Sequence, residues 1–167
     1  MTSRLITSDT IRNFVFGVED SLVSTVGLIS GIAIVDTPKA TILLTGVVLI
    51  FVEAFSMSIG SMLSDNSVKE FEEKAVVPLR SSVASALIMF FSYFLSGFVI
   101  LAPYMFLQND KALPLSIALS LISLFALGFV SGRTSSINPT KRGFVMVLVG
   151  GLAIFVGMAV GLLIKSF

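Results

Sequence analysis

Five long apolar runs, separated by short polar links, make up most of this chain. The runs cover about residues 11–35, 40–63, 83–107, 113–132 and 143–164. Each is close to the roughly 20 residues that a helix needs to cross the hydrocarbon core of a bilayer. Because a chain in lipid must satisfy its backbone polar groups internally, such runs are expected to be helices. The pattern predicts an all-α integral membrane protein in which all 167 residues form one domain with five transmembrane helices.

The composition agrees with this class and excludes several kinds of chemistry. The chain is 55% hydrophobic and 13% charged, with a mean hydropathy of +1.02, far from the values of soluble domains. It contains no histidine and no cysteine, so imidazole and thiolate metal sites and histidine-dependent catalysis are absent. We therefore expect no enzyme, no permanently bound cofactor and no nucleic-acid partner. Carboxylates, thioethers, hydroxyls and backbone carbonyls remain as functional groups.

The distribution of basic residues predicts the orientation of the five spans. Five spans place the two termini on opposite sides, and lysine and arginine concentrate on the cytoplasmic side of membrane proteins. With the N-terminus inside, the acidic link at 64–82 is also cytosolic, and the outer side holds only Lys39, Lys111 and Lys165. The inner side then holds the other eight basic residues: Arg4, Arg12, Lys69, Lys74, Arg80, Arg133, Lys141 and Arg142.

Acidic residues inside the first two runs are the strongest indication of function. Glu19 and Asp20 lie in the first run, and Asp20 is roughly 12 Å from its cytoplasmic start at a rise of about 1.5 Å per residue. In the second run, Met57 and Glu53 are roughly 9 Å and 15 Å from the cytoplasmic end by the same rise. Acids at such depth are costly and normally mark an ion pathway or a binding site. Glu19 points about 100° away from Asp20 around the helix, so one of the two could face a partner helix or the headgroup region.

The ligand types narrow the choice of cation. Carboxylate oxygens alone would suit Mg²⁺ or Ca²⁺, whereas a thioether shifts the preference towards late first-row ions such as Fe²⁺. We therefore predict a metal site formed by Asp20, Glu53 and Met57, with Glu19 as a further candidate. Methionine is also common in apolar helices, so Met57 could simply pack. The acids of the polar link, namely Asp65, Glu70 and Glu73, could capture metal before entry or form only a solvated helix face.

Small residues recur on one face of the first run and again in the fifth. The first stripe contains Gly17, Ser24, Gly27 and Gly31 together with Asp20, and the second contains Gly150, Gly157 and Gly161. Small side chains allow helices to approach closely in lipid. For the fifth run we expect ordinary packing within the chain. For the first run, whose stripe carries the acid, we expect a two-fold dimer that brings Asp20 near its symmetry mate.

Several segments resemble the vacuolar iron transporter (VIT) family. FGVEDSLVSTVGLISG, at 16–31, is similar to the family's first-helix signature, phenylalanine-glycine-x-x-aspartate-glycine-leucine-valine followed by small residues. SMSIGSMLS, at 56–64, resembles its second-helix ending, serine-methionine-alanine-x-glycine-glutamate-x-x-serine. The likeness continues through PLRSS and the last three spans.

The chain departs from the family pattern at three positions. Glycine is usual at the position of Ser21, glutamate at that of Ser61, and a small residue at that of Glu53. The large cytosolic metal-binding region between spans two and three is also reduced to about twenty residues.

The resemblance implies a homodimer with a metal path between the protomers, lined mostly by the first helix. It implies export of Fe²⁺ or Mn²⁺ from the cytosol in exchange for protons, with Asp20 and Met57 at the positions of the pathway aspartate and methionine. It places the protein in the cell membrane of a prokaryote or the vacuolar-type membrane of a eukaryote. The alternative is a membrane assembly or scaffold protein that kept the fold without transport.

Overall fold

A computed structural model describes the backbone of residues 2–167 and the side chains from Ser8 onward, so the side chain of Arg4 lies outside the described part. Five α-helices follow one another along the chain. They are α1 (Thr2–Ala33), α2 (Lys39–Glu73), α3 (Val83–Phe106), α4 (Asn109–Thr134) and α5 (Pro139–Lys165), with a short 3-10 helix (Leu79–Ser82) before α3. All five are long and apolar enough to cross a membrane. The predicted all-α class and the five spans are therefore confirmed.

Proline and left-handed residues set the ends of the helices. α1 ends before Asp36, which has a positive φ of 63°, and Pro38 precedes α2. α5 begins at Pro139, whose missing N–H is not needed at a helix start, and the Asn138 side chain accepts a hydrogen bond from the Lys141 N–H. These breaks lie where the sequence placed its polar links.

The second helix is longer than the sequence analysis expected. It continues through residues 64–73 and ends at Lys74, which adopts a left-handed conformation with a φ of 51°. This segment contains no glycine or proline, and its Asp65 and Lys69 form an i,i+4 ion pair with a distance of 2.8 Å, which supports a helix. The polar link between the second and third spans is thus a helical extension followed by a short connection up to Pro78.

The first helix lies at the centre of the bundle. α1 contacts all four other helices and packs most extensively against α3 and α5, whereas its contact with α2 is the smallest. Hydrophobic clusters lie on both sides of it. One includes Ile29 of α1 with Ile50 and Leu101, and the other includes Leu22 of α1 with Leu124. The buried apolar side chains of α1 therefore pack against several neighbouring helices.

The glycine stripes of α1 and α5 pack against each other. A methyl group at Gly31 would lie 2.5 Å from the Gly157 carbonyl oxygen, and one at Gly161 would collide with the Gly31 carbonyl. Lys165 donates to Asp36 at 3.0 Å where both helices end, so the two run parallel and in register. Gly27 and Gly31 therefore have partners within the protomer, and a dimer packed through them stays a prediction.

Candidate functional site

Asp20 and Glu53 lie on the neighbouring helices α1 and α2. Both side chains are half-buried, and they lie close enough for their charges to interact. The structure thus brings together two of the predicted site residues, one from each helix. The small contact between α1 and α2 leaves room for such polar groups.

A tyrosine of α3 completes this group, and the sequence analysis missed it. Tyr93 is fully buried, its hydroxyl is hydrogen-bonded to the Ser24 hydroxyl at 2.7 Å, and it lies within electrostatic range of both Asp20 and Glu53. The chain has only two tyrosines. A buried phenol needs a hydrogen-bond partner, so its position in an apolar span was the signal that could have identified it.

The serine at position 21, where the related family has glycine, contacts the same tyrosine. The Ser21 hydroxyl donates to the Tyr93 carbonyl oxygen at 2.6 Å. Gly97 makes room for this contact, because a methyl group there would lie 3.0 Å from the Ser21 oxygen. Ser21 and Ser24, which lie in the helical turn after Asp20, therefore both attach α1 to Tyr93 of α3.

Met57 lines a cleft of about 640 Å³ between α1, α2 and α3, in the half of the bundle that contains the N-terminus. Met89 of α3 supplies a second thioether, Arg12 supplies a positive charge, and Asn13, Ser56, Ser61 and Ser64 supply neutral polar groups. The amide nitrogen of Asn13 and the hydroxyl of Ser61 are buried without a hydrogen-bond partner. Asp20 and Glu53 are not among the lining residues, so Met57 lies beside the acid pair in a separate cleft. Asn13 and Met89 were not predicted.

Glu19 points away from this group. It lines a different cleft with Lys141 and Arg142 at the start of α5. The 100° separation from Asp20 around the helix explains this, because adjacent residues of a helix face different neighbours. The structure thus places Glu19 apart from the other predicted metal ligands.

Two acids of the α2 extension, Asp65 and Glu70, have partners within the chain. Asp65 is buried and pairs with Lys69, whose ammonium group also donates to the Ser81 carbonyl oxygen and the Ser82 hydroxyl. Glu70 accepts a hydrogen bond from the Val77 N–H at 3.3 Å, whereas Glu73 is exposed. These contacts attach the end of α2 to the start of α3. Metal capture here stays a prediction that the observed pairing does not favour.

Within one protomer, the acid pair offers few ligands. The described side chains contain no group of three or more acidic residues placed to hold a metal ion. Divalent cations with oxygen ligands prefer about six, so Asp20 and Glu53 would need waters, thioethers, backbone oxygens or a second protomer to complete a site.

The five long apolar helices define a multi-pass membrane protein, and two acids lie within its spans. The chain belongs to the VIT family, since the model of that family matches residues 11–84 and 77–162. The family resemblance inferred from the motifs is thereby confirmed.

Named relatives cover most of the chain. It is 23% identical to "Vacuolar iron transporter 1" of Tulipa gesneriana, over 95% of this chain and 89% of the relative. It is 30% identical to "Vacuolar iron transporter homolog 4" of Arabidopsis thaliana, over 84% of this chain and 76% of the relative. The match to "Vacuolar iron transporter homolog 3" of the same plant has the same identity and coverage.

Proposed function

We propose that this protein transports a divalent transition-metal ion, Fe²⁺ or Mn²⁺ or both, out of the cytosol. The observation that carries the proposal is that Asp20 and Glu53, on neighbouring spans of a VIT-family bundle, lie within electrostatic range of each other. Two carboxylates provide hard oxygen ligands, and an ion that passes along α2 would also meet the thioethers of Met57 and Met89 in the separate cleft. This combination suits late first-row ions better than Ca²⁺ or Mg²⁺.

The working unit in this proposal is a homodimer. Among the described residues, a single protomer brings together the two acids Asp20 and Glu53. In a two-fold dimer the same two residues of the partner would raise the number of nearby carboxylates to four. The path between protomers would then be lined by α1, whose Asp20 side chain is half-exposed.

Proton exchange would supply the driving force. A dication binds carboxylates in their ionised form, so its binding displaces the protons that the acids carry. Asp20 and Glu53 would take protons back when the ion leaves on the far side. The outward direction of metal flux and the inward direction of proton flux are both parts of the proposal.

The orientation follows from the basic residues, eight of which lie on the side of the N-terminus and three on the other. We expect a reporter fused to the C-terminus to be active only outside the cytosol. A cytosolic signal from that reporter would contradict this orientation.

The direct test is metal uptake into proteoliposomes. We expect flux of Fe²⁺ or Mn²⁺ that rises with an opposing pH gradient and exceeds the flux of Ca²⁺ and Zn²⁺. Metal flux that does not depend on the pH gradient would contradict proton coupling but not metal transport. A folded protein without flux of any of these ions would contradict transport and favour the scaffold alternative.

A further inference from the structure

The cleft that contains Glu19 is separate from the acid pair and has its own chemistry. It measures about 440 Å³ and lies between the middle of α1 and the first turns of α5. Lys141, Arg142 and Asn138 supply its polar groups, and Ile137, Val145 and Met146 its apolar walls. None of these seven residues was needed for the proposed transport.

Although Glu19 lines the same cleft, neither Lys141 nor Arg142 forms an ion pair in the described part of the chain. The ion pairs found there involve Arg12, Lys69 and Lys165 only. The Nε atom of Arg142 is buried and makes no hydrogen bond. A buried, unpaired donor on a charged group is costly, so the position of the Arg142 side chain favours an anion that is not part of the protein.

The location of the cleft indicates which kind of anion. α5 begins at Pro139 and runs into the membrane, which puts Lys141 and Arg142 at the level of the lipid headgroups. About half of the Val145 surface is exposed, at 51%, one helical turn further into the membrane, where acyl chains would lie. A basic entrance above an apolar wall matches the two parts of a phospholipid, and basic pockets between membrane helices bind anionic headgroups.

We propose that this cleft binds an anionic phospholipid, with its phosphate between Lys141 and Arg142 and its acyl chain along Val145. The apolar wall favours a lipid over inorganic phosphate, which has no apolar part. Glu19, deeper in the cleft, opposes the negative charge of the headgroup and limits the affinity. The site does not depend on the proposed transport.

The test measures lipid binding to the purified full chain by native mass spectrometry. Phosphatidylglycerol serves as the anionic lipid, and phosphatidylcholine as the zwitterionic reference. We expect Lys141→Gln and Arg142→Gln each to weaken phosphatidylglycerol binding roughly fivefold, the usual effect of one basic side chain near a membrane surface. Glu19→Gln should strengthen it. Lys111→Gln removes an exposed lysine at the start of α4 and should change nothing.

Three results would overturn the proposal. One is equal binding of the two lipids, and another is unchanged binding in both Lys141→Gln and Arg142→Gln. The third is inorganic phosphate that competes as strongly as a soluble short-chain phosphatidylglycerol, which would indicate a plain anion site. Lys141 is exposed, so its variant keeps the test valid even if Arg142→Gln fails to fold.

Discussion

The hydroxyl of Tyr93 on α3 lies 2.7 Å from the hydroxyl of Ser24 on α1, one helical turn beyond Asp20. Because Ser21 also binds the Tyr93 backbone, this contact fixes the position of the acid relative to two helices. A transport site needs such support, since a ligand held only by its own flexible side chain has no defined geometry.

The first prediction concerns this contact. Tyr93→Phe and Ser24→Ala should each reduce the free energy of unfolding by about 1 kcal/mol, the usual net value of a hydrogen bond. The double variant should be little worse than either single one, because both remove the same interaction. Thermal unfolding in detergent would measure this.

Tyr104→Phe is the matched control for that measurement. Tyr104 is also fully buried, but its hydroxyl has no hydrogen-bond partner. Its removal should therefore leave stability unchanged or raise it. Equal losses at both tyrosines would show that the Ser24 bond contributes nothing specific.

The second prediction concerns Asp20. Asp20→Asn keeps the shape of the side chain but removes its charge, so metal flux in proteoliposomes should fall to background while the protein remains folded by size-exclusion chromatography. Asp36→Asn is the control, because Asp36 lies at the exposed end of α1 and pairs only with Lys165. Normal flux from the Asp20 variant would refute the proposed mechanism.

The third prediction separates the thioether from the acids. Met57→Leu preserves volume but removes sulfur, so the flux of Fe²⁺ should fall more than that of Mn²⁺, which has the weaker preference for soft ligands. Met105→Leu, at an exposed position near the end of α3, should affect neither. Equal losses of both ions would leave the pathway intact and exclude Met57 as a selectivity residue.

The fourth prediction concerns the glycine contact between α1 and α5. Gly31→Ala places a methyl group 2.5 Å from a backbone oxygen that cannot move independently, and overpacking of this kind costs about 1–3 kcal/mol. Gly151→Ala meets no atom within 4 Å and should be neutral or slightly stabilising in a helix. A lower Tm for the first variant but not the second would confirm the contact.

The sequence predicted the spans well because the thickness of the bilayer sets their length, and any apolar run of that length predicts a membrane-spanning helix. It did not predict the extension of α2, since polar residues such as Asp65 and Lys69 resemble a loop until their i,i+4 pairing is known. It indicated Glu53 and Asp20 as candidate site residues because acidic residues are rare in membrane-spanning runs. It missed Tyr93, although a tyrosine in an apolar span signals a polar partner; that this partner is Ser24 depends on how α3 packs against α1.

Pairings between helices were also beyond the sequence. The stripes at Gly31 and Gly157 were each recognised as packing faces, but a stripe of small residues does not identify its partner. Glu19 illustrates the same limit. Helix geometry predicted that Glu19 and Asp20 point in different directions. It could not predict that Glu19 lies near Lys141 and Arg142, because that depends on where α5 packs against α1.

The contact between Gly31 and Gly157, together with the Asp36–Lys165 ion pair, has a mechanical consequence. α1 and α5 touch backbone to backbone, so neither can slide or tilt without the other, and we expect them to shift as one rigid body. The weakest boundary of α1 is with α2, and the carboxylates of Asp20 and Glu53 lie on its two sides. Any rocking of the α1–α5 unit would therefore change the distance between these two acids first, which spin labels on α1 and α2 could measure.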